Sequence, residues 1–141
     1  MIRQYKEQEL TQLTRIWIDS RIRECGFIST DLWRNGVDML KMSIDRSDVY
    51  VSVDRKTVNG FIQLDGQEIV GLYAVPDRHF RKVIIQLLSY AKEHSSELTL
   101  HAYIKDEDTI KIYNHCGFTV EGHVSNKLTN EPELLLVWKD K

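Results

Sequence analysis

Residues 78 to 82, Arg78-His79-Phe80-Arg81-Lys82, put four basic or potentially basic groups into five positions of a chain whose formal net charge is only -2. They stand where an apolar run ending at Ala74-Val75 passes through Pro76 and Asp77 into a helical pattern, so the cluster opens a helix. The start of a helix offers unpaired backbone N–H groups and the positive end of the macrodipole, both suited to an anion such as phosphate. Positive side chains at that end oppose the dipole by roughly 0.3–1 kcal/mol each, so an unliganded turn has little reason to choose them. A solvated turn is the plainer reading of the same residues. Nucleic acid is not the expected partner, because the net charge is acidic and no aromatic residues are interleaved through a wider basic surface.

The remaining reactive side chains narrow the chemistry. Cys25 and Cys116 lie far apart, without the paired spacing of a zinc site or a redox motif, so reduced thiols and no metal are expected. No His/Asp arrangement beside Cys25 marks it as a nucleophile. The N-terminal MIRQYKEQEL has no apolar signal core, and no apolar run approaches the roughly 18 residues of a membrane span. The expectation is a soluble, cytoplasmic protein that does not engage a membrane. At 141 residues, with neither repeat nor linker, it reads as a single domain over residues 1–141.

The elements that must position these residues follow from periodicity. Ile2 to Tyr5 fits a short strand, and Leu10, Leu13, Ile16 and Trp17 recur at helical spacing between Glu7 and about Arg23. Ser29-Thr30-Asp31 reads as an N-cap signal for a second helix with Trp33, Val37, Leu40 and Ile44 on one face. Asp48–Asp54 alternates, and GFIQLDG after Asn59 looks like its hairpin partner. The nearly continuous apolar run from Glu68 to Val75 suits a strand covered on both faces. A helix from about Phe80 to Glu93 then leads to a buried strand at 97–104, which makes a right-handed parallel crossover. Asp106 to His115 is a short helix closed by Gly117, and 118–124 and 133–139 are two closing strands. The sum is a mixed α/β sheet with helices on both faces.

With this element order, two stretches make the chain resemble the GNAT acetyltransferase superfamily, in particular its small bacterial single-domain members. EIVGLYAVPD is similar to the family's fourth strand and the approach to its acetyl-CoA loop. DEDTIKIYNHCGF is similar to the signature Asn-x-x-Ala-x-x-Phe-Tyr-x-x-x-Gly-Phe. The resemblance covers nearly the whole length and implies a mostly antiparallel, twisted sheet of about seven strands, with a central parallel pair and about four helices. It implies acetyl-CoA as co-substrate, with its acetyl and pantetheine portion along the backbone of Leu72, Tyr73, Ala74 and Val75, where strands four and five splay. The pyrophosphate would meet the loop at Arg78, His79, Phe80, Arg81, Lys82, Val83 and Ile84. There the family pattern is Gln/Arg-x-x-Gly-x-Gly/Ala, and both glycine positions are lost, to Lys82 and Ile84. A β-branched Ile84 is expected to stand where the diphosphate would lie, with the basic side chains compensating.

The resemblance also matches Tyr113 to a tyrosine that protonates the departing thiolate, a role suited to a phenol; simple packing is the alternative. Asp106 replaces the signature asparagine and is either a cofactor-side group or a helix N-cap. Glu24, in the Glu24-Cys25-Gly26-Phe27 loop that borders the acceptor side in similar proteins, is a candidate base or an ordinary surface glutamate. Tyr73, His101 and Tyr103 fall on the splayed strands, where they would line the acceptor pocket, and for His101 a satisfied edge histidine is the alternative. The implied reaction is direct attack of a small-molecule or peptide amine on the thioester, by a monomer or homodimer. The competing expectation is a relative with a degenerate cofactor site that binds an acyl-CoA or another anion, or regulates, without transferring an acetyl group.

Overall fold

The computed structural model describes residues 1–24, 26, 28 and 36–140, with the side chain of Glu24 outside that set. Among them lie seven strands and four α-helices: β1 (Ile2–Gln4), α1 (Leu10–Glu24), α2 (Val37–Asp45), β2 (Asp48–Asp54), β3 (Thr57–Asp65), β4 (Glu68–Ala74), α3 (Phe80–Glu93), β5 (Glu97–Tyr103), α4 (Glu107–His115), β6 (Thr119–Ser125) and β7 (Pro132–Lys139). The expected N-cap at Ser29-Thr30-Asp31 and the face position of Trp33 lie outside the described residues, as does Cys25. No helix of the described residues is long and apolar enough to cross a membrane.

One sheet runs β1-β2-β3-β4-β5-β7-β6, antiparallel throughout except for the β4–β5 pair. Alternation along the strands sends residues to two cores. On one face Leu72, Ala74, Leu98, Leu100 and Ala102 pack with Val83, Ile84, Leu87 and Leu88 of α3 and Ile112 and Tyr113 of α4. On the other, Val49, Val51, Phe61, Tyr73 and Tyr103 pack with Leu13, Ile16 and Trp17 of α1 and Leu40 and Ile44 of α2. Each helix thus places an apolar stripe at three- and four-residue spacing against the sheet.

α1 is tied to the sheet edge through Glu9, buried in the turn before the helix. Its carboxylate accepts the Lys6 N–H at 2.9 Å and a two-point contact from Arg3 of β1 at 2.6 and 3.0 Å. The Arg3 hydrogen bond holds the Glu9 carboxyl below its ordinary range against the opposing pull of burial.

α3 sits close to β3 because Gly60 has no side chain. A Cβ there would lie 2.6 Å from Val83 Cγ1, 3.0 Å from the Tyr73 carbonyl oxygen and 3.2 Å from Leu87 Cδ1. The carbonyl cannot yield as a flexible side chain would, so Gly60→Ala must lift α3. The expected cost is about 1–3 kcal/mol, read by thermal unfolding as a fall of about 4 °C per kcal/mol for a chain of this size. An unchanged Tm would show that the helix is not held at this distance.

The feature that matters for function is a bulge in β4. Gln63 pairs with Gly71 but Leu64 pairs with Ile69, so Val70 is the extra residue. Parallel pairing to β5 covers only Glu68↔Thr99 and Ile69↔Leu100. From Val70 onward the two strands part, while β4 stays paired to β3 as far as Ala74. The bulge is what ends the pairing and opens the sheet at its centre.

Candidate active site

The gap between β4 and β5 is a cleft of about 50 Å³, lined chiefly by Leu72 and Tyr73 on one strand, His101 and Tyr103 on the other, and Asp106 and Tyr113 below. Its backbone is chemically active. The Val75 N–H donates to the Asn59 carbonyl at 2.9 Å, so Val75 faces β3. By the two-residue alternation of a strand, Tyr73 faces β3 as well, and the N–H groups of Leu72 and Ala74 point the other way, into the gap. These are preorganised donors on the wall of the cleft.

Tyr113 is fixed there by the end of its helix. Gly117 adopts φ 91° and the Phe118 N–H reaches back to the Tyr113 carbonyl at 3.1 Å, the pattern of a helix closed by a left-handed residue. Phe118 is then buried, with its ring centre 6.3 Å from that of Tyr113. The phenol ring is buried too, and it lines the cleft from the α3/α4 side. Gly117 closes the helix as its position in the sequence predicts.

Asp106 occupies the N-cap position of α4 and also lines the cleft. Burial pushes its carboxyl above the ordinary range, opposed by Thr109 and by the positive charge of Arg21. The Arg21 side chain comes from α1 and spans the open strands: its Nη2 donates to the Tyr73 hydroxyl at 3.0 Å, and its guanidinium carbon lies 4.8 Å from the Tyr73 ring centre and 5.8 Å from that of Tyr103.

The basic cluster forms the first turn of α3, with Arg78, His79, Arg81 and Lys82 exposed. Asp77 occupies part of that helix end itself. Its Oδ1 accepts the His79 N–H at 2.8 Å and its carbonyl accepts the Phe80 N–H at 3.1 Å, and among the described residues the N–H groups of Arg81 and Lys82 remain as free donors of the turn. A second hollow of about 320 Å³ lies on the β3 side of this turn, lined in part by Val75, His79 and Lys82.

One expectation about the loop is corrected. Ile84 does not project toward the helix end: it is 1% exposed and packs with Leu72, Leu87 and Leu88 in the core, as does Val83. Its position falls on the inward stripe of α3, so the lost second glycine puts no side chain in an anion's way. Phe80 is likewise half-buried against that core. Lys82, at the first lost glycine, points outward.

The structure therefore brings together Leu72, Tyr73, His101, Tyr103, Asp106 and Tyr113, and sets the basic turn at the end of β4. Glu24 ends α1, and its side chain lies outside the described residues. Sequence reasoning missed Arg21, Thr109 and Glu133, which also line the cleft. Arg21 reads as a polar-face residue of an amphipathic helix, and nothing local marks it. Glu133 reads as the start of a closing strand, and only the register of β7 on β5 brings it to the gap.

A seven-stranded mixed sheet opened at a bulged fourth strand, with a tyrosine from the following short helix in the opening, is the architecture of the GNAT acetyltransferases. No family model matches the chain. It is 21% identical over 140 residues to the peptidyl-lysine N-acetyltransferase YiaC of Escherichia coli, covering 98% of this chain and 96% of that protein. It is 27% identical over 122 residues to the peptidyl-lysine N-acetyltransferase YjaB of the same organism, covering 86% and 83%. The solution structure of apo YjaB superposes with a TM-score of 0.88 at 26% identity, over 100% of this chain and 98% of that one. The fold is shared with the PaiA N-acetyltransferase of Thermoplasma acidophilum in complex with coenzyme A, with a TM-score of 0.79 at 20% identity over 99% and 98% of the two chains. The chain is a member of the GNAT acetyltransferase superfamily.

Proposed function

We propose that this protein transfers an acetyl group from acetyl-CoA to an amine, with peptidyl lysine as the favoured acceptor class. The observation that carries the reading is the gap beyond Ile69↔Leu100, with two inward backbone donors on one wall and a buried phenol on the other. The names of the two E. coli relatives support both the activity and the acceptor.

Acetyl-CoA supplies the activated acyl group, and the chain's residues orient it and handle charge and protons. The N–H groups of Leu72 and Ala74 are aimed where negative charge grows on the thioester oxygen as an amine adds, which is the largest kind of electrostatic help a site can give. The Tyr113 hydroxyl donates its proton to the departing sulfur. Arg78, His79, Arg81 and Lys82, with the free N–H groups of the first α3 turn, hold the diphosphate. Leu72 to Val75 guide the pantetheine arm, and Asp106 borders the cleft from the N-cap position of the following short helix. The reaction belongs in the cytoplasm, where acetyl-CoA is made and used.

Loss of both loop glycines motivates the competing reading of a non-catalytic binding protein. The open cleft and the inward burial of Ile84 weigh against it. The test is incubation with acetyl-CoA and lysine-containing peptides beside a panel of small amines, following free thiol and acetylated product together. Thiol release matched by N-acetylated peptide is the expected result. No release with any amine, or release without amide formation, would overturn the reading.

A further inference from the structure

We propose that His101, backed by Glu133, is the general base that removes the proton from the acceptor amine; the inference rests on the acetyltransferase reading above. His101 lies on β5 just past its last pairing with β4. Leu98, Leu100 and Ala102 turn to the α3/α4 core, so His101 projects from the opposite face of the sheet, the face that α1 and α2 cover elsewhere. Tyr113 belongs to the α3/α4 core, and yet both residues line the same cleft. The opening passes through the sheet, with a phenol at one mouth and an imidazole at the other. Acyl transfer needs that separation, because the amine must arrive on one side of the carbonyl while the sulfur leaves toward another.

The imidazole has the partner a base requires. Glu133 of β7 stands opposite Tyr103, next on the same face to Leu135, the partner of His101. Its Oε1 lies 3.8 Å from His101 Nδ1, an ion-pair distance that becomes attractive as the ring gains a proton. Its other oxygen, Oε2, accepts from Asn126 Nδ2 at 3.4 Å. Asn126 is itself held by the β6–β7 turn: its Oδ1 accepts the N–H groups of Leu128 at 2.9 Å and Thr129 at 3.1 Å, and its carbonyl accepts that of Asn130 at 2.7 Å. The turn therefore orients the carboxylate, the carboxylate stands within ion-pair range of Nδ1, and Nε2 is assigned the proton, the three-part logic of an oriented base. The His101 side chain is 45% exposed, so the proton can pass to solvent, whereas that of Glu133 is only 14% exposed and is kept from bulk screening.

The titratable and charged groups around the ring are Glu133 from β7, Tyr73 from β4, Arg21 from α1, Tyr103 of β5, and Asp106 and Tyr113 on the α4 side. Of these, Glu133 is in ion-pair range of His101. In the step, an ammonium R–NH3⁺ gives one proton to Nε2, and its freed lone pair forms the N–C bond to the acetyl carbon. The C–S bond breaks with its electrons on sulfur, which takes the Tyr113 proton. The second nitrogen proton and that on His101 pass to solvent, from which the Tyr113 phenolate regains one. The sum is ammonium plus thioester to amide plus thiol plus one H⁺.

His101→Gln and Glu133→Gln test the proposal by their pH profiles. With a lysine peptide, kcat/KM of His101→Gln should fall by about 10²-fold near neutrality, while acetyl-CoA affinity by calorimetry stays at the wild-type value. The wild-type rate should rise only shallowly with pH, because the enzyme itself takes the proton from the amine. The variant should instead climb about tenfold per pH unit between about pH 6 and 9, because only the amine's own neutral fraction then reacts. An acceptor amine already neutral at the assay pH should lose only a few-fold in His101→Gln, and Glu133→Gln should lose about tenfold with lysine. Superimposable pH profiles, or an equal loss with the neutral amine, would overturn the base assignment. A wild-type chain that acetylates no amine would overturn the acetyltransferase reading and the assignment with it, and that result is read before any variant is made.

Discussion

Replacing Tyr113 with phenylalanine is expected to lower kcat by about 10²-fold or more, the usual worth of a positioned general acid, with acetyl-CoA affinity nearly unchanged. The substitution removes one oxygen from a ring buried in the core and leaves Phe118, Gly117 and the helix end as they are. The effect should therefore appear in the chemical step. An acetyl thioester of a more acidic thiol needs no proton on departure, so it should recover most of the lost rate. Release of thiol at the wild-type rate from acetyl-CoA would remove Tyr113 from the mechanism. A loss equal for both thioesters would mean that the hydroxyl organises the cleft instead of protonating sulfur.

The second large effect concerns the turn that carries charge in place of glycine. Arg81→Ala combined with Lys82→Ala is expected to weaken acetyl-CoA binding by about 10²-fold or more, since each well-formed hydrogen bond to a charged group contributes about 1.5–3 kcal/mol. Both side chains are exposed, so the fold should be unaffected. Asp77→Asn should act in the opposite direction. The Asp77 carboxylate already sits at the helix end on the His79 N–H, where it repels an incoming phosphate; an amide keeps an acceptor oxygen there without the charge. Tighter binding in Asp77→Asn together with weaker binding in the double variant would identify the turn as the diphosphate site. No change in either would place the anion elsewhere.

Much of the fold was legible because its elements are strongly patterned. The stripes of α1 and α3, the alternation of β2 and the Gly117 helix end each depend on neighbours within a turn or two. The opening in the sheet depends on register, which no local pattern carries. EIVGLYAV reads as one uninterrupted strand, although a glycine inside a strand can mark a bulge or a close approach. Gly71 is the local trace of it: a Cβ there would overlap the buried Gln63 side chain and come 2.9 Å from Tyr73 Cε2. Ile84 was misplaced because alignment to a loop pattern says which residue occupies a position, and only the helix phase says where it points. Arg21 and Glu133 meet the cleft, and Asn126 meets Glu133, through register and contacts that no local pattern carries. His101 was visible as a residue type, and its carboxylate partner was not.

The central claim is that a cofactor loop without glycines still binds acetyl-CoA, through charge and the free end of α3. Calorimetric titration of the protein with acetyl-CoA, CoA and desulfo-CoA, at low and at moderate salt, tests it most directly. The account predicts saturable binding near the micromolar range that weakens as salt rises, with all three ligands close in affinity because the diphosphate dominates. Absence of binding at millimolar ligand would contradict it, and would mean that the GNAT fold is kept here without its co-substrate.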